Sequence, residues 1–409
     1  MTTFLNGESP AWLKTVRERA SPRRLAVWVL VLLVLLYAGW LAYVIAADRP
    51  LDFYVYYMAA ETFARGGSAY TISDAEWDAL ASNLGITNYT RPYRYPPHVA
   101  ALLTLFRPLG PRGTMVLWVI ANAAAMVAGA WLLGRALGEW WPAISLAGLA
   151  LFVPPLATLL AGQVNGLLFF SLAWALWGLV HRRDGALGVG LAMGTTLKVI
   201  PLALVLYLFW RRRWRAGLIA AGALLILTLA CVPVVGWQGL VDYAQSAVFL
   251  GRPDTVYVVP TNQTFTAVLG RAFSTTSDTA LSGGRWLGLL MVIATVALCW
   301  PRGDTARTMP LEFGLIVAAL QLIPPFTWYH QLVLLLLPAL IVIERLWAGR
   351  RWFGLGGLAA LFFLTDLHGL GWHYVENWPW ATSFPFLFGI ALWGLTAWLL
   401  VREKWHVPA

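Results

Sequence analysis

Charge is what this sequence has least of. Asp, Glu, Lys and Arg make up 12% of its 409 residues, while 59% are hydrophobic. Soluble domains carry roughly a quarter charged residues, so an ordinary soluble fold is excluded and an all-α polytopic membrane protein is expected. Lysine is rarest, at Lys14, Lys198 and Lys404 only, so a lysine inside an apolar segment calls for a reason. The two cysteines, Cys231 and Cys299, both lie in apolar runs, which argues against a disulfide framework or a thiolate metal site. Also missing are a DxD motif, a His/Glu metal pair at i, i+4, a nucleophilic serine elbow and a P-loop. No soluble domain, low-complexity tract or internal repeat stands out. The net charge of +10 does not indicate nucleic acid, because the arginines come in short clusters beside apolar runs.

What is there is a series of long apolar segments. Candidate spans lie near 25–47, 113–134, 142–181, 185–210, 216–236, 285–301, 312–343, 352–366 and 380–401. A span needs about 20 residues. Three of these segments are interrupted: 142–181 by Pro154-Pro155 and "GQVNG", 185–210 by Lys198 and Pro201, and 312–343 by "PPFTWYHQ". Counting the broken segments as pairs gives 10 to 12 membrane helices. The first apolar run is about twice the length of a signal-peptide core and lacks a small-x-small cleavage site, so it reads as an uncleaved helix. The clusters at 181–183, 211–215, 350–351 and 402–404 are expected to face the cytoplasm with the N-terminus. If both ends of 185–210 are cytoplasmic, that segment is a hairpin with Lys198 near its tip. The expected organisation is one transmembrane domain over 1–409. It comprises a basic cytoplasmic N-terminus (1–24), an outer loop (48–97), further membrane helices (98–401) and a cytoplasmic tail (402–409).

The 48–97 loop is the longest polar stretch and the most acidic. A helix over 52–64 at the membrane surface would be amphipathic, with Asp52, Tyr56 and Phe63 on one side and Tyr57 beside them. Asp52 then either favours the helix dipole above an aromatic belt or is a reactive carboxylate. "RPYRYPPH" brings Arg91, Arg94, Tyr95 and His98 to the point of re-entry, as anchors or as a grip for a phosphate. Gln163 and Asn165 are amides in an apolar run, either helix-helix contacts or the lining of a cavity. Lys198 is an intramembrane charge that needs an anion or an acid. Asn262 and Gln263 cap a helix or meet sugar hydroxyls, and Trp328 and His330 follow a double proline. One prominent carboxylate with several cations does not suit glycoside hydrolysis, which requires two facing acids. It suits a transfer whose leaving group is already a phosphate.

Six motifs carry a resemblance: "LDFYVYYMAAETFARGGSAY", "YRYPPHVAALLTLFRPLG", "GQVNGLLFFSLAWAL", "TTLKVIPLALVLYLFWRRRWR", "NQTFTAVLGR" and "PFTWYHQ", in this order over 51–331. The pattern resembles the bacterial GT-C membrane mannosyltransferases that use polyprenol-phosphate-mannose, including actinobacterial enzymes acting on phosphatidylinositol mannosides. The resemblance implies an inner-membrane enzyme with a periplasmic active site. It would move mannose from the lipid-phosphate donor to a glycolipid acceptor, inverting and forming an α-(1→2) bond, as a monomer without cofactor or metal. It makes Asp52 the base, with Asp48 a weaker second candidate, and places Lys198 and His330 near the donor phosphate; Arg94, from the re-entry motif, is a further candidate for that phosphate. Tyr56, Tyr57, Tyr95, His98, Gln163, Asn165, Asn262, Gln263 and Trp328 are the expected substrate contacts. Relatives often have a proline directly after this lysine, or two adjacent histidines. Here Lys198 precedes Val199-Ile200-Pro201, and His330 precedes Gln331. The competing reading is a transporter or lipid flippase, which broken helices and polar groups at membrane depth also suit. Against it stand the absence of paired halves and the long loop opening with an acid. A non-catalytic scaffold leaves the intramembrane lysine and histidine unexplained.

Overall fold

The computed structural model describes residues 22–47, 51–90, 92–249, 258–274, 278–301, 305–370 and 381–405, and these form helices joined by short connections. Asp48, Arg91, most of the basic N-terminus and the end of the C-terminal tail lie outside the described residues. Among the described residues, five helices are long and apolar enough to cross a membrane: Arg107–Leu137, Trp214–Ser246, Leu281–Leu298, Tyr329–Ala348 and Ala381–Lys404. A pair, α6 (Trp141–Leu151) and α7 (Val153–Ala161), is together apolar and long enough but bent by 61°, the geometry of a broken span or a re-entrant loop. The expected 10 to 12 also counted shorter apolar pieces, such as α8 (Asn165–Val180). The protein is an all-α, multi-pass membrane protein.

The first helix, α1 (Pro22–Ala47), is followed by α2 (Leu51–Ala64). The helix after the first span is therefore present, but it has no wet face. Every residue from Phe53 to Phe63 is buried, because α2 inserts among α4 (Pro97–Thr104), α5 (Gly110–Leu137) and their neighbours. The solvent-facing helix of this loop is instead α3 (Asp74–Asn83), which turns Trp77, Leu80 and Ala81 inward. Its start is fixed by a capping box. The Glu76 carboxylate accepts from the Ser73 N–H at 2.9 Å, and Ser73 Oγ accepts from the Glu76 N–H at 3.3 Å.

The 185–210 segment is the expected hairpin: α9 (Asp184–Leu197) and α10 (Leu202–Trp210), with Lys198 extended at the turn (φ −145, ψ 141). Pro201 cannot donate to the α9 ladder, which ends the helix just where the lysine is needed. At the open end, Arg213 Nη2 donates to Asp184 at 2.7 Å. α11 (Trp214–Phe249) is kinked at Gly236. Beyond it come α12 (Phe265–Ala272), α13 (Asp278–Leu298), α14 (Thr305–Ala319), α15 (Leu336–Ala348), α16 (Trp352–Leu370) and α17 (Phe384–Trp405). One buried ionic cluster binds this half together. Glu312 on α14 meets Arg211 at 3.2 Å and Lys404 at 2.8 Å, and also accepts from the Tyr207 hydroxyl.

Two glycines bring α8 to its place. Gly162 adopts φ 68, a left-handed cap that ends α7. Its carbonyl accepts from the Trp118 indole at 2.8 Å. Gly166 lies so close to α5 that a Cβ there would meet the Asn122 carbonyl oxygen at 2.6 Å.

Candidate active site

Asp52 stands one residue inside α2, and its carboxylate takes a donor on each oxygen. Thr90 Oγ1 donates to Oδ1 at 2.9 Å, and Gln163 Nε2 donates to Oδ2 at 2.6 Å. The side chain is half-buried, so a remaining lone pair is accessible. Burial pushes the carboxyl above its usual range, while the Gln163 and Thr90 hydrogen bonds and the Lys198 charge pull it down.

Gln163 links Asp52 to the rest of the cluster. Its amide oxygen accepts from Tyr56 at 3.0 Å and Tyr95 at 3.2 Å, and Nε2 also reaches the Tyr95 hydroxyl at 2.8 Å. The Tyr56 and Tyr95 rings meet edge to face, with centroids 4.6 Å apart. On the far side of Tyr95, the Lys198 ammonium lies 5.7 Å from the ring centroid and donates to Gln331 Oε1 at 2.9 Å. Gln331 is held in turn, donating to Gln321 at 3.2 Å. The two described lysines differ in one respect. Lys404 is matched by a carboxylate, whereas Lys198, 9% exposed, has an uncharged amide as its closest partner.

His330 lies within electrostatic reach of Lys198, and its Nε2 is buried with no hydrogen-bond partner among the described residues. Its carbonyl is fixed by the Thr158 hydroxyl at 2.7 Å. Asn165 is fully buried with both amide atoms unpaired. The Arg94 guanidinium lies 5.9 Å from the centroid of Phe326, whose ring also faces Trp328. The structure thus brings Asp52, Tyr56, Tyr95, Gln163, Lys198 and His330 into one neighbourhood.

Other expected contacts are engaged elsewhere. Tyr57 donates to the Arg107 carbonyl at 3.4 Å, since neighbouring positions on a helix point about 100° apart. His98 pairs with Thr228 on α11 at 3.2 Å. Asn262 bonds the Pro325 carbonyl and the Thr327 N–H and forms an isolated bridge with Trp328. Gln263 donates to the Pro260 and Thr382 carbonyls and accepts from the Phe386 N–H. These amides satisfy loop backbone that has no ladder of its own. Asn262 holds the 324–331 segment, which carries His330 and Gln331, while Gln263 ties its own loop to the start of α17. The sequence reading missed Thr90, Gln321 and Gln331 as partners. Only Gln331 carried a signal, as an amide directly after His330.

Below the cluster, Glu61 on α2 accepts two hydrogen bonds from Arg107, at 2.7 and 2.8 Å. The guanidinium holds the Glu61 carboxyl below its usual range. A lowered folded-state value stabilises the fold above the unfolded pKa, and that contribution fades as pH falls through the lowered value. Arg107→Met is expected to cost about 1–3 kcal/mol by removing both charge-assisted hydrogen bonds and leaving Glu61 the longer Arg65 contact at 3.7 Å. In thermal melts in detergent, the gap from wild type should be widest near neutral pH and close as the medium becomes acidic.

Positions 93–325, more than half of the chain, match the model of glycosyltransferase family 87. One relative is the polyprenol-phosphate-mannose-dependent α-(1-2)-phosphatidylinositol mannoside mannosyltransferase of Mycobacterium tuberculosis. It is 25% identical over 344 residues, covering 80% of this chain and 77% of the relative. Another is the α-(1→3)-arabinofuranosyltransferase of the same organism, 29% identical over 194 residues, or 45% of this chain and 41% of that protein. With the apolar helices described above, the extent of the family match shows that this chain is a membrane glycosyltransferase belonging to glycosyltransferase family 87.

Proposed function

We propose that the protein transfers mannose from polyprenol-phosphate-mannose to a lipid-linked glycan such as a phosphatidylinositol mannoside, inverting to give an α-(1→2) bond. The observation that carries this reading is the juxtaposition of Asp52 with an amide-paired Lys198 across Gln163 and Tyr95. Asp52 takes the proton of the acceptor hydroxyl. The freed oxygen forms the new bond to the anomeric carbon as the bond from that carbon to the phosphate oxygen breaks, its electron pair leaving with the phosphate. Lys198, with His330 and Arg94 nearby, balances the charge of the departing polyprenyl phosphate, so no acid is required. The reaction uses no metal or cofactor. Tyr95 and Trp328, both partly exposed, give aromatic walls for the sugar.

The donor also needs room for its tail. An apolar cavity of about 410 Å³ lies between α10, α13 and α14, lined among others by Ala203, Leu206, Val292, Leu320 and Ile323. Ala203 is on the hairpin that carries Lys198, and Leu320 adjoins Gln321, so the cavity is built on the same segments as the proposed phosphate site. In the proposed setting the site faces the periplasm of the inner membrane, with both termini in the cytoplasm and the chain a monomer.

Membranes containing the protein, given polyprenol-phosphate-[¹⁴C]mannose and a phosphatidylinositol mannoside, are expected to yield labelled glycolipid and one polyprenyl phosphate per mannose. Transfer only from a polyprenol-phosphate pentose overturns the choice of sugar. Vesicle uptake of the lipid-linked sugar without product overturns the enzyme in favour of a flippase.

A further inference from the structure

Resting on the reading of Asp52 as the base, the geometry points to Gln163 as a positioning residue that fixes the orientation of the Asp52 carboxylate, rather than a substrate contact. Every polar atom of its side chain is already committed, and it is 1% exposed, which leaves no edge for a sugar hydroxyl. Its orientation is forced from behind. The Tyr56 hydroxyl donates to Oε1, so the amide N–H₂ must turn towards Asp52. The opposite flip would set the amide oxygen against the carboxylate, two acceptors facing each other without a proton between them.

The local chain is built to supply this donor. Gly162, in its left-handed cap, reverses the direction of the chain between α7 and α8, and the Trp118 indole pins its carbonyl. The Gln163 N–H returns to the Thr158 carbonyl at 3.0 Å, closing the turn. Gln163 is thereby placed on a rigid break rather than on a flexible loop, as precise positioning requires. One amide N–H holds Oδ2 and Thr90 holds Oδ1, and these two donors fix the carboxylate plane.

A donor on a carboxylate also favours its ionised form, which is the form a base needs. The titratable groups facing Asp52 are Tyr56 on its own helix, Tyr95 from the segment before α4, and Lys198 from the tip of the α9–α10 hairpin. Arg94 acts on Tyr95 beside them. The tyrosines stay neutral across the range in which a carboxylate titrates, and Lys198 stays in place when only Gln163 is changed. An altered acid limb in a Gln163 variant therefore reports on the lost amide.

The test is the pH dependence of kcat for mannosyl transfer in Gln163→Leu, Tyr56→Phe and Asp52→Asn, each checked by thermal melting in detergent. Gln163→Leu is expected to move the acid limb upward by about one pH unit, with about a tenfold loss below the limb and partial recovery above it. KM for the donor should stay within about twofold. A loss that is the same at all pH values, or one expressed in donor KM, overturns the assignment. If Gln163→Leu does not fold, Tyr56→Phe decides. It unlocks the amide while keeping the ring, so a smaller upward move supports the inference and an unmoved limb overturns it. Asp52→Asn separates the two levels. If it keeps full transfer, the base reading has failed. If it is inactive while the Gln163 and Tyr56 variants keep the wild-type limb, only the positioning role has failed.

Discussion

Asp52→Asn is expected to lower kcat for mannosyl transfer by about 10²–10⁴-fold, the range attributable to one general base. The substitution keeps shape and volume. The new amide can present its oxygen to Gln163 and its N–H₂ to Thr90, so the hydrogen bonds around position 52 survive and the fold should too. What is lost is the ability to hold a proton. Donor KM should change little, because the donor phosphate is assigned to the far side of Tyr95. Asp52→Glu should fall between, since one added methylene displaces the carboxylate by more than the tolerance of a near-attack geometry. The wild-type profile provides a second check. Burial raises the Asp52 carboxyl, so activity should fall with decreasing pH around a midpoint above the ordinary carboxylate value of about 3.9. The sign follows from the role, because a protonated acid cannot accept the hydroxyl proton. Full transfer by a folded Asp52→Asn protein would end this mechanism.

How much of this was legible in the sequence depended on whether one residue type had few alternatives. Arginine clusters at both ends of 185–210 require an even number of crossings, and the α9–α10 hairpin with Lys198 at its turn satisfies that requirement. Lys198 and Asp52 were legible because charge is so rare here that each survivor needs a partner. The direction of a side chain after a break was not legible. Gln163 and Asn165 are two positions apart, yet one grips Asp52 and the other is buried without a partner. The left-handed Gly162 resets the helical phase between α7 and α8, so no periodicity carries across it. Tyr56 and Tyr57 posed a related problem. With α2 buried on every side, polarity does not mark which face meets the site, and Tyr57 falls instead beside Glu61 and Arg107. Asn262 and Gln263 left two readings open. Their amides proved to be matched by backbone groups from segments 63 to 123 residues away, which no local pattern encodes.

The second large effect is expected at Lys198. In the proposed reaction, a polyprenyl phosphate departing from the sugar gains negative charge beside the buried Lys198. Two unit charges about 4 Å apart interact by about 4 kcal/mol at an effective dielectric of 20, and losing one fixed stabilising group typically costs about 10²–10³-fold in kcat. Lys198→Met, which keeps the length and apolar stem but not the charge, should show a loss of that order at saturating donor. The identity of its partner sharpens the argument. Gln331 orients the ammonium through a neutral oxygen, so the positive charge is held but not cancelled. Glu312 shows the alternative elsewhere in this chain, where a carboxylate is the direct ionic partner of Lys404, and of Arg211 as well. Gln331→Glu would impose that alternative on Lys198. It should reduce transfer nearly as much as Lys198→Met while leaving the melting temperature equal to or above that of wild type, since a buried charge gains its counter-ion. A purely structural Lys198 predicts the reverse, with Gln331→Glu active and Lys198→Met unstable. Transfer by a folded Lys198→Met protein at the wild-type rate would remove the lysine from the phosphate site.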